Sequence, residues 1–122
     1  MDYLSDTQTR PADYDLILTG DLGAIGSRNL VELVRAEGID IADRHNDCGM
    51  MIFDRKRQDV HAGGSGCGCC ASVLCSKILG DFKSGALSDI LFVPTGALLS
   101  ATTAAQKKTI PSVAHLIRLK TF

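Results

Sequence analysis

Asp15-Leu16-Ile17-Leu18-Thr19-Gly20-Asp21-Leu22-Gly23-Ala24-Ile25-Gly26, residues 15–26, sets a short apolar run against a glycine-rich turn. A run of that length between turn residues is the pattern of a buried strand. Beyond the turn, Leu30, Val31 and Val34 recur at helical spacing and Gly38 follows. Ser27 is the expected N-cap and Gly38 the C′ residue of a helix of about three turns. The same order returns later. Gly63-Gly64-Ser65-Gly66-Cys67-Gly68 precedes Ala71, Leu74, Cys75, Ile78, Leu79 and Phe82, which step by three and four. Asp89-Ile90-Leu91-Phe92-Val93-Pro94 is apolar on both faces, as a central strand must be. Thr95 to Ser100 closes a third glycine turn, 94–100. Less regular stretches fill the gaps. We expect an irregular lead-in over 1–12 ahead of a domain over 13–122, a brief strand at Ile39–Ile41, a strand at Cys48–Phe53 with a hairpin return at Val60–Ala62, a loop over 101–112, and a last strand from Val113 to Leu119. The class is α/β with a mixed sheet, and ligand sites in such sheets gather where strands run into glycine turns.

The length of 122 residues fits one domain, and 45% hydrophobic with 22% charged residues is the composition of a globular chain. No run approaches the roughly 18 apolar residues of a membrane helix. Thirteen Lys+Arg against fourteen Asp+Glu, with no like-charge block longer than Arg55-Lys56-Arg57, leave no broad electrostatic footprint for nucleic acid. The acidic N-terminus lacks the apolar run of a secretory signal, so the cytoplasm is the expected compartment. Five cysteines, at 48, 67, 69, 70 and 75, are odd in number and crowded, which points to reduced thiols instead of a disulfide framework.

The chemistry these motifs carry is narrower than it first looks. The first turn reads G-x-x-G-x-x-G, whereas the dinucleotide fingerprint separates its first two glycines by one residue; no nucleotide or other cofactor is expected. Adjacent Cys69 and Cys70 point apart on a helix start and Cys75 falls on the apolar stripe, so no metal site is expected. Cys67 and Cys69 lie where a helix dipole favours thiolate, which makes them the candidate nucleophiles, with His61 as the one histidine that could serve as base. A plain strand-end role suits His61 better. His45 reads as part of a solvated loop, His115 as a partly buried residue of the last strand, and Asp21 as a cap for its own turn.

Leu18-Thr19-Gly20-Asp21-Leu22-Gly23, Asn46-Asp47-Cys48-Gly49-Met50-Met51-Ile52, His61-Ala62-Gly63-Gly64-Ser65-Gly66-Cys67-Gly68-Cys69 and Thr95-Gly96-Ala97-Leu98-Leu99-Ser100, with Gln106, Ile110-Pro111 and Ala114-His115, resemble the C-terminal half of the stage V sporulation protein AD family over about residues 13 to 117. That family is similar to thiolases and ketoacyl synthases, so the resemblance implies one, C-terminal, α/β repeat of an αβαβα layered fold. It also implies a place in the apparatus that loads dipicolinic acid into the forespore, as a non-catalytic binder of that dicarboxylate. Its partners would be the N-terminal thiolase-like repeat, sporulation membrane-channel proteins and a second copy of the chain, at the cytoplasmic side or peripherally at the spore inner membrane. The rival is a cysteine-dependent acyltransferase of the thiolase or ketoacyl synthase type. Gly20 and Asp21 occupy the turn where ketoacyl synthases place a histidine, and His61 to Gly66 is a shortened counterpart of the thiolase histidine motif without its proline. The thiolase nucleophile comes from the first repeat. The expected ligand-binding residues are Gly20, Asp21, Gly23, Ser65, Gly66, Thr95 and Gly96, on the ground that glycine turns and helix starts receive carboxylates.

Overall fold

The computed structural model describes residues 2–97 and 100–122, so Leu98 and Leu99 of the third turn lie outside the described residues. The elements run α1 (Asp2–Asp6), β1 (Leu16–Thr19), α2 (Gly23–Ala36), β2 (His45–Asp47), α3 (Cys48–Met51), α4 (Cys69–Val73), a π turn (Leu74–Ile78), α5 (Leu79–Ser84), β3 (Asp89–Val93), β4 (Thr95–Ala97), α6 (Ala101–Ala105), β5 (Ser112–Ala114) and β6 (Ile117–Lys120). Four strands form a mixed sheet in the order β2-β1-β3-β6, and β4 pairs with β5 in a separate ribbon. Strand β1 is parallel to β2 and to β3, with Thr19 opposite Asp47 on one side and Val93 on the other, while β6 is antiparallel to β3.

The period of two along the central strands builds the core. Leu18, Ile90 and Phe92 point to one face and pack with Cys48, Cys69, Val73 and Ile78 under the helical rod of 69–84. Ile17 and Leu91 point to the other, where Tyr14 and Ile41 join them beneath Leu30, Val31 and Val34 of α2. Both faces are therefore covered, as the all-apolar strands require. Helix α2 closes with Gly38 at φ +85°, its N–H on Arg35 O and that of Ile39 on Val34 O, the paired bonds of a Schellman end.

Several local expectations are corrected. Helix α2 begins at Gly23, so Ser27 lies inside it, buried, instead of capping it. The brief strand is His45–Asp47, not Ile39–Ile41, and His45 belongs to it. The apolar run from Cys48 starts a short helix, because Asp47 caps it by accepting the Gly49 N–H. Val60–Ala62 is a turn with His61 at φ +47°, and residues 101–105 are helical. The final strand is interrupted between Ala114 and Ile117, leaving His115 exposed. Residues 2–6 form a helix whose Tyr3 and Leu4 pack against the second cluster, so the lead-in is structured.

Candidate functional site

Strand β1 delivers Thr19 and Gly20 to the mouth of the first turn, and Asp47, at the end of the neighbouring β2, reaches across to it. Asp47 is fully buried. Its Oδ1 accepts from the Thr19 hydroxyl at 2.6 Å and the Leu22 N–H at 3.0 Å, and its Oδ2 accepts from the N–H groups of Gly23 and Gly49, each at 2.9 Å. One carboxylate thus ties β1, the start of α2 and the start of α3 together, and its charge is matched by backbone donors and not by a cation. Since the Thr19 hydroxyl gives its proton to Asp47, the 3.0 Å contact with His45 must have Nε2–H of His45 as donor. Burial holds the His45 ring below its ordinary pKa, against the opposing pull of Asp47.

The second turn is locked onto this clamp by backbone alone. Ala24 N–H donates to Ala62 O and Gly64 N–H to Gly49 O, both at 2.7 Å. A methyl group on Gly23, which has φ +65°, would meet Ala62 O at 2.8 Å, and methyls on Gly49 or Gly63 would penetrate the facing carbonyls of Gly64 and Gly49. These glycines are small because chain meets chain there.

Asp21 gathers the three turns. Its Oδ1 accepts from the Thr95 hydroxyl at 3.0 Å, its Oδ2 accepts from the Ser65 hydroxyl at 3.2 Å and the Gly66 N–H at 3.1 Å, and its own N–H donates to Thr95 Oγ1. Its partners lie in the other two turns, so it is a cross-loop tie and not a cap for its own turn. Gly20 is pressed against Thr95, whose amide nitrogen a methyl would meet at 2.6 Å. Beside this junction opens a cleft of about 690 Å³, with Asp21, Ser65, Thr95 and Gly96 on one side and apolar Leu30 and Val93 among its other walls. Of the seven expected binding residues, Asp21, Ser65, Thr95 and Gly96 line the cleft, and Gly20 and Gly66 support it. Gly23 faces the interior with its amide on Asp47. The sequence reading passed over Asp47, although an aspartate directly before a glycine-containing apolar run is an N-cap signal.

The thiols differ sharply. Cys69 is buried, and burial, with Asp21 and Asp47 adding, pushes its pKa up, the reverse of the thiolate expected from the helix start. Burial pushes Cys48 up to about 12. Cys67 is exposed, but among the described residues no hydrogen bond joins it or Cys69 to His61, whose nearest carboxylate is the exposed Asp59 at 3.8 Å. Among the described residues no three His, Cys, Asp or Glu side chains stand together in a way that could hold a metal ion.

The sequence profile of the family described as Stage V sporulation protein AD (SpoVAD) matches residues 1–120. Stage V sporulation protein AD of Bacillus subtilis (strain 168) is 43% identical over 113 residues, which is 93% of this chain and 33% of that protein. The chain therefore spans about a third of the length of that curated relative. A profile match over nearly the whole chain, on a fold whose matched glycine motifs meet at one cleft, places the chain in the stage V sporulation protein AD family.

Proposed function

We propose that this chain is a thiolase-like, non-catalytic binding domain of the dipicolinic acid uptake apparatus of sporulation, and that the cleft beside Asp21 takes the dicarboxylate. The observation that carries the reading is the convergence of the three glycine turns on Asp21 around a cleft with room for an aromatic ring and two carboxylates. The hydroxyls of Ser65 and Thr95 and the Gly66 N–H, all now held by Asp21, are the donors a dicarboxylate competes for, while Leu30 and Val93 meet its ring. Asp21 is the organiser of this rim and not a partner of the anion, which it repels. A sheet covered on both faces, with parallel central strands and one antiparallel edge, suits a thiolase-like repeat. The raised pKa of Cys69, with no hydrogen bond among the described residues from His61 to either thiol, favours binding over acyl transfer.

The exposed apolar residues Ile25 and Leu33 of α2 and Leu79 of α5 suit a chain that packs against further structure, and the partners we propose are the N-terminal repeat of the full-length family protein, a second copy of the chain and sporulation membrane-channel proteins. No helix among the described residues is long and apolar enough to cross a membrane. The placement that belongs to this proposal is cytoplasmic or peripheral at the spore inner membrane. Calorimetry with dipicolinate tests the reading, on this chain and on the full-length Bacillus subtilis relative. Saturable heat that disappears in Ser65→Trp is expected; no heat from either protein contradicts it. Intact-mass measurement after incubation with an acyl-CoA should show no covalent adduct, and an adduct on Cys67 or Cys69 would instead support the acyltransferase.

A further inference from the structure

The exposed thiol of Cys67 precedes the half-buried thiol of Cys70 by three residues, and the chain between them is already wound as a helix. The Cys69 N–H donates to Gly66 O at 3.0 Å. Gly68, at φ −93° and ψ −10°, is the third residue of the type I turn so closed, which gives Cys67 helical torsions as well. Helical winding from 67 to 70 sets the two Cα atoms about 5 Å apart, inside the roughly 4.4–6.8 Å that a disulfide spans. Their Cβ atoms, about 5–6 Å apart on one face of such a turn, need to approach by about 1–2 Å for the bond to close. The chain has the freedom to do so. Gly66 is anchored through its N–H on Asp21, whereas a methyl on Gly68 would meet nothing within 4 Å and its φ is negative, so neither crowding nor a left-handed turn calls for glycine there. What glycine supplies at 68 is backbone mobility between the two thiols. We propose that Cys67 and Cys70 are a redox-active dithiol, oxidised to an intramolecular disulfide by a low-molecular-weight disulfide.

The difference in exposure orders the two steps. The Cys67 thiolate, open to solvent, attacks one sulfur of the small disulfide; that S–S bond breaks, a small thiolate leaves, and Cys67 carries a mixed disulfide. The Cys70 thiolate then attacks Cys67 Sγ, forming the bridge within the protein and expelling the second small thiolate. The dithiol loses two protons and two electrons, and the small disulfide takes them up as two thiols. Cys70, which packs at the edge of the first core cluster, is sheltered from the bulky reagent but not from Cys67. Cys48 and Cys69 are buried and take no part. This site stands whether or not the cleft beside Asp21 binds a dicarboxylate.

The test incubates the native chain carrying Cys75→Ser, which removes the other exposed thiol, with oxidised glutathione and follows intact mass. The expected result is a loss of two hydrogen masses, a Cys67–Cys70 link on fragmentation of the peptide that holds both, and loss of iodoacetamide labelling at Cys67 that dithiothreitol restores. Adding Cys70→Ser should leave one glutathione trapped on Cys67, and adding Cys67→Ser should leave the native chain unmodified, with circular dichroism reporting an intact fold in each. A glutathione that persists on Cys67 while Cys70 is present, a bridge that includes Cys48 or Cys69, glutathione trapped at Cys70 in place of Cys67, or no oxidation at a glutathione level that oxidises the urea-unfolded chain overturns the proposal.

Discussion

Asp47 and Asp21 perform the same act in two different surroundings. Each draws donors from separate segments onto one carboxylate: Asp47 from the Thr19 hydroxyl and three backbone amides, Asp21 from two hydroxyls and one amide. Asp47 is sealed inside, whereas Asp21 is half-buried at the edge of the cleft. A sealed carboxylate can only hold structure, because no solute reaches it. One that lines a cleft orders the same kind of donors where a solute can compete for them. The difference separates the scaffold of this site from its working surface, although both are made of short polar residues and glycine.

Breaking the scaffold should cost most. Asp47→Asn keeps the shape but replaces an accepting oxygen by an amide that faces N–H donors, so a loss of about 3–5 kcal/mol is expected in denaturant melts, enough to unfold much of a domain of this size. A loss under about 1 kcal/mol would mean that the clamp is not structural. Gly49→Ala drives a methyl into Gly64 O and should cost about 2 kcal/mol or more, with the second turn losing hydrogen-exchange protection first. Asp21→Asn should cost only about 1 kcal/mol, since water can replace its partners, and should speed exchange at the Gly66 amide while leaving Gly23 protected. The smallest effect is a pH dependence. Because the folded-state pKa of His45 lies below its ordinary 6.5, the unfolded chain binds the proton first, so stability present above 6.5 declines as pH falls from there toward the folded value. His45→Gln, which keeps a donor for Thr19, should flatten that slope in urea melts repeated across the range. The thiols sharpen the comparison further: iodoacetamide should modify Cys67 and Cys75 in the native protein and reach Cys48 and Cys69 only on unfolding.

What could be read from the sequence was whatever repeats. Strands β1 and β3 carry their periodicity in side chains that pack locally, so the alternation at Ile17 and Leu18 was legible; the rod of 69–84 was legible as a helix, but its buried face runs through Cys69, Val73, Leu74, Ile78 and Phe82 and leaves Ala71, Cys75 and Leu79 of the expected stripe exposed. Strand β2 was not, because His45, Asn46 and Asp47 are polar and join the sheet through a hydrogen-bond network that hydropathy cannot display. Cys48 to Phe53 misled because a short apolar run suits strand and helix alike, and the choice was made by the Asp47 cap. The glycine turns were visible individually, but the ties that join them span 44 and 74 residues, a separation at which spacing says nothing of contact.

The most direct test follows the amide resonances of the chain during a dipicolinate titration. Saturable shifts concentrated at Gly20, Asp21, Ser65, Gly66 and Gly96, with the Gly23 and Gly49 amides on Asp47 unmoved, are the expected result. Shifts absent from those turns, or spread evenly over the surface, would contradict the account.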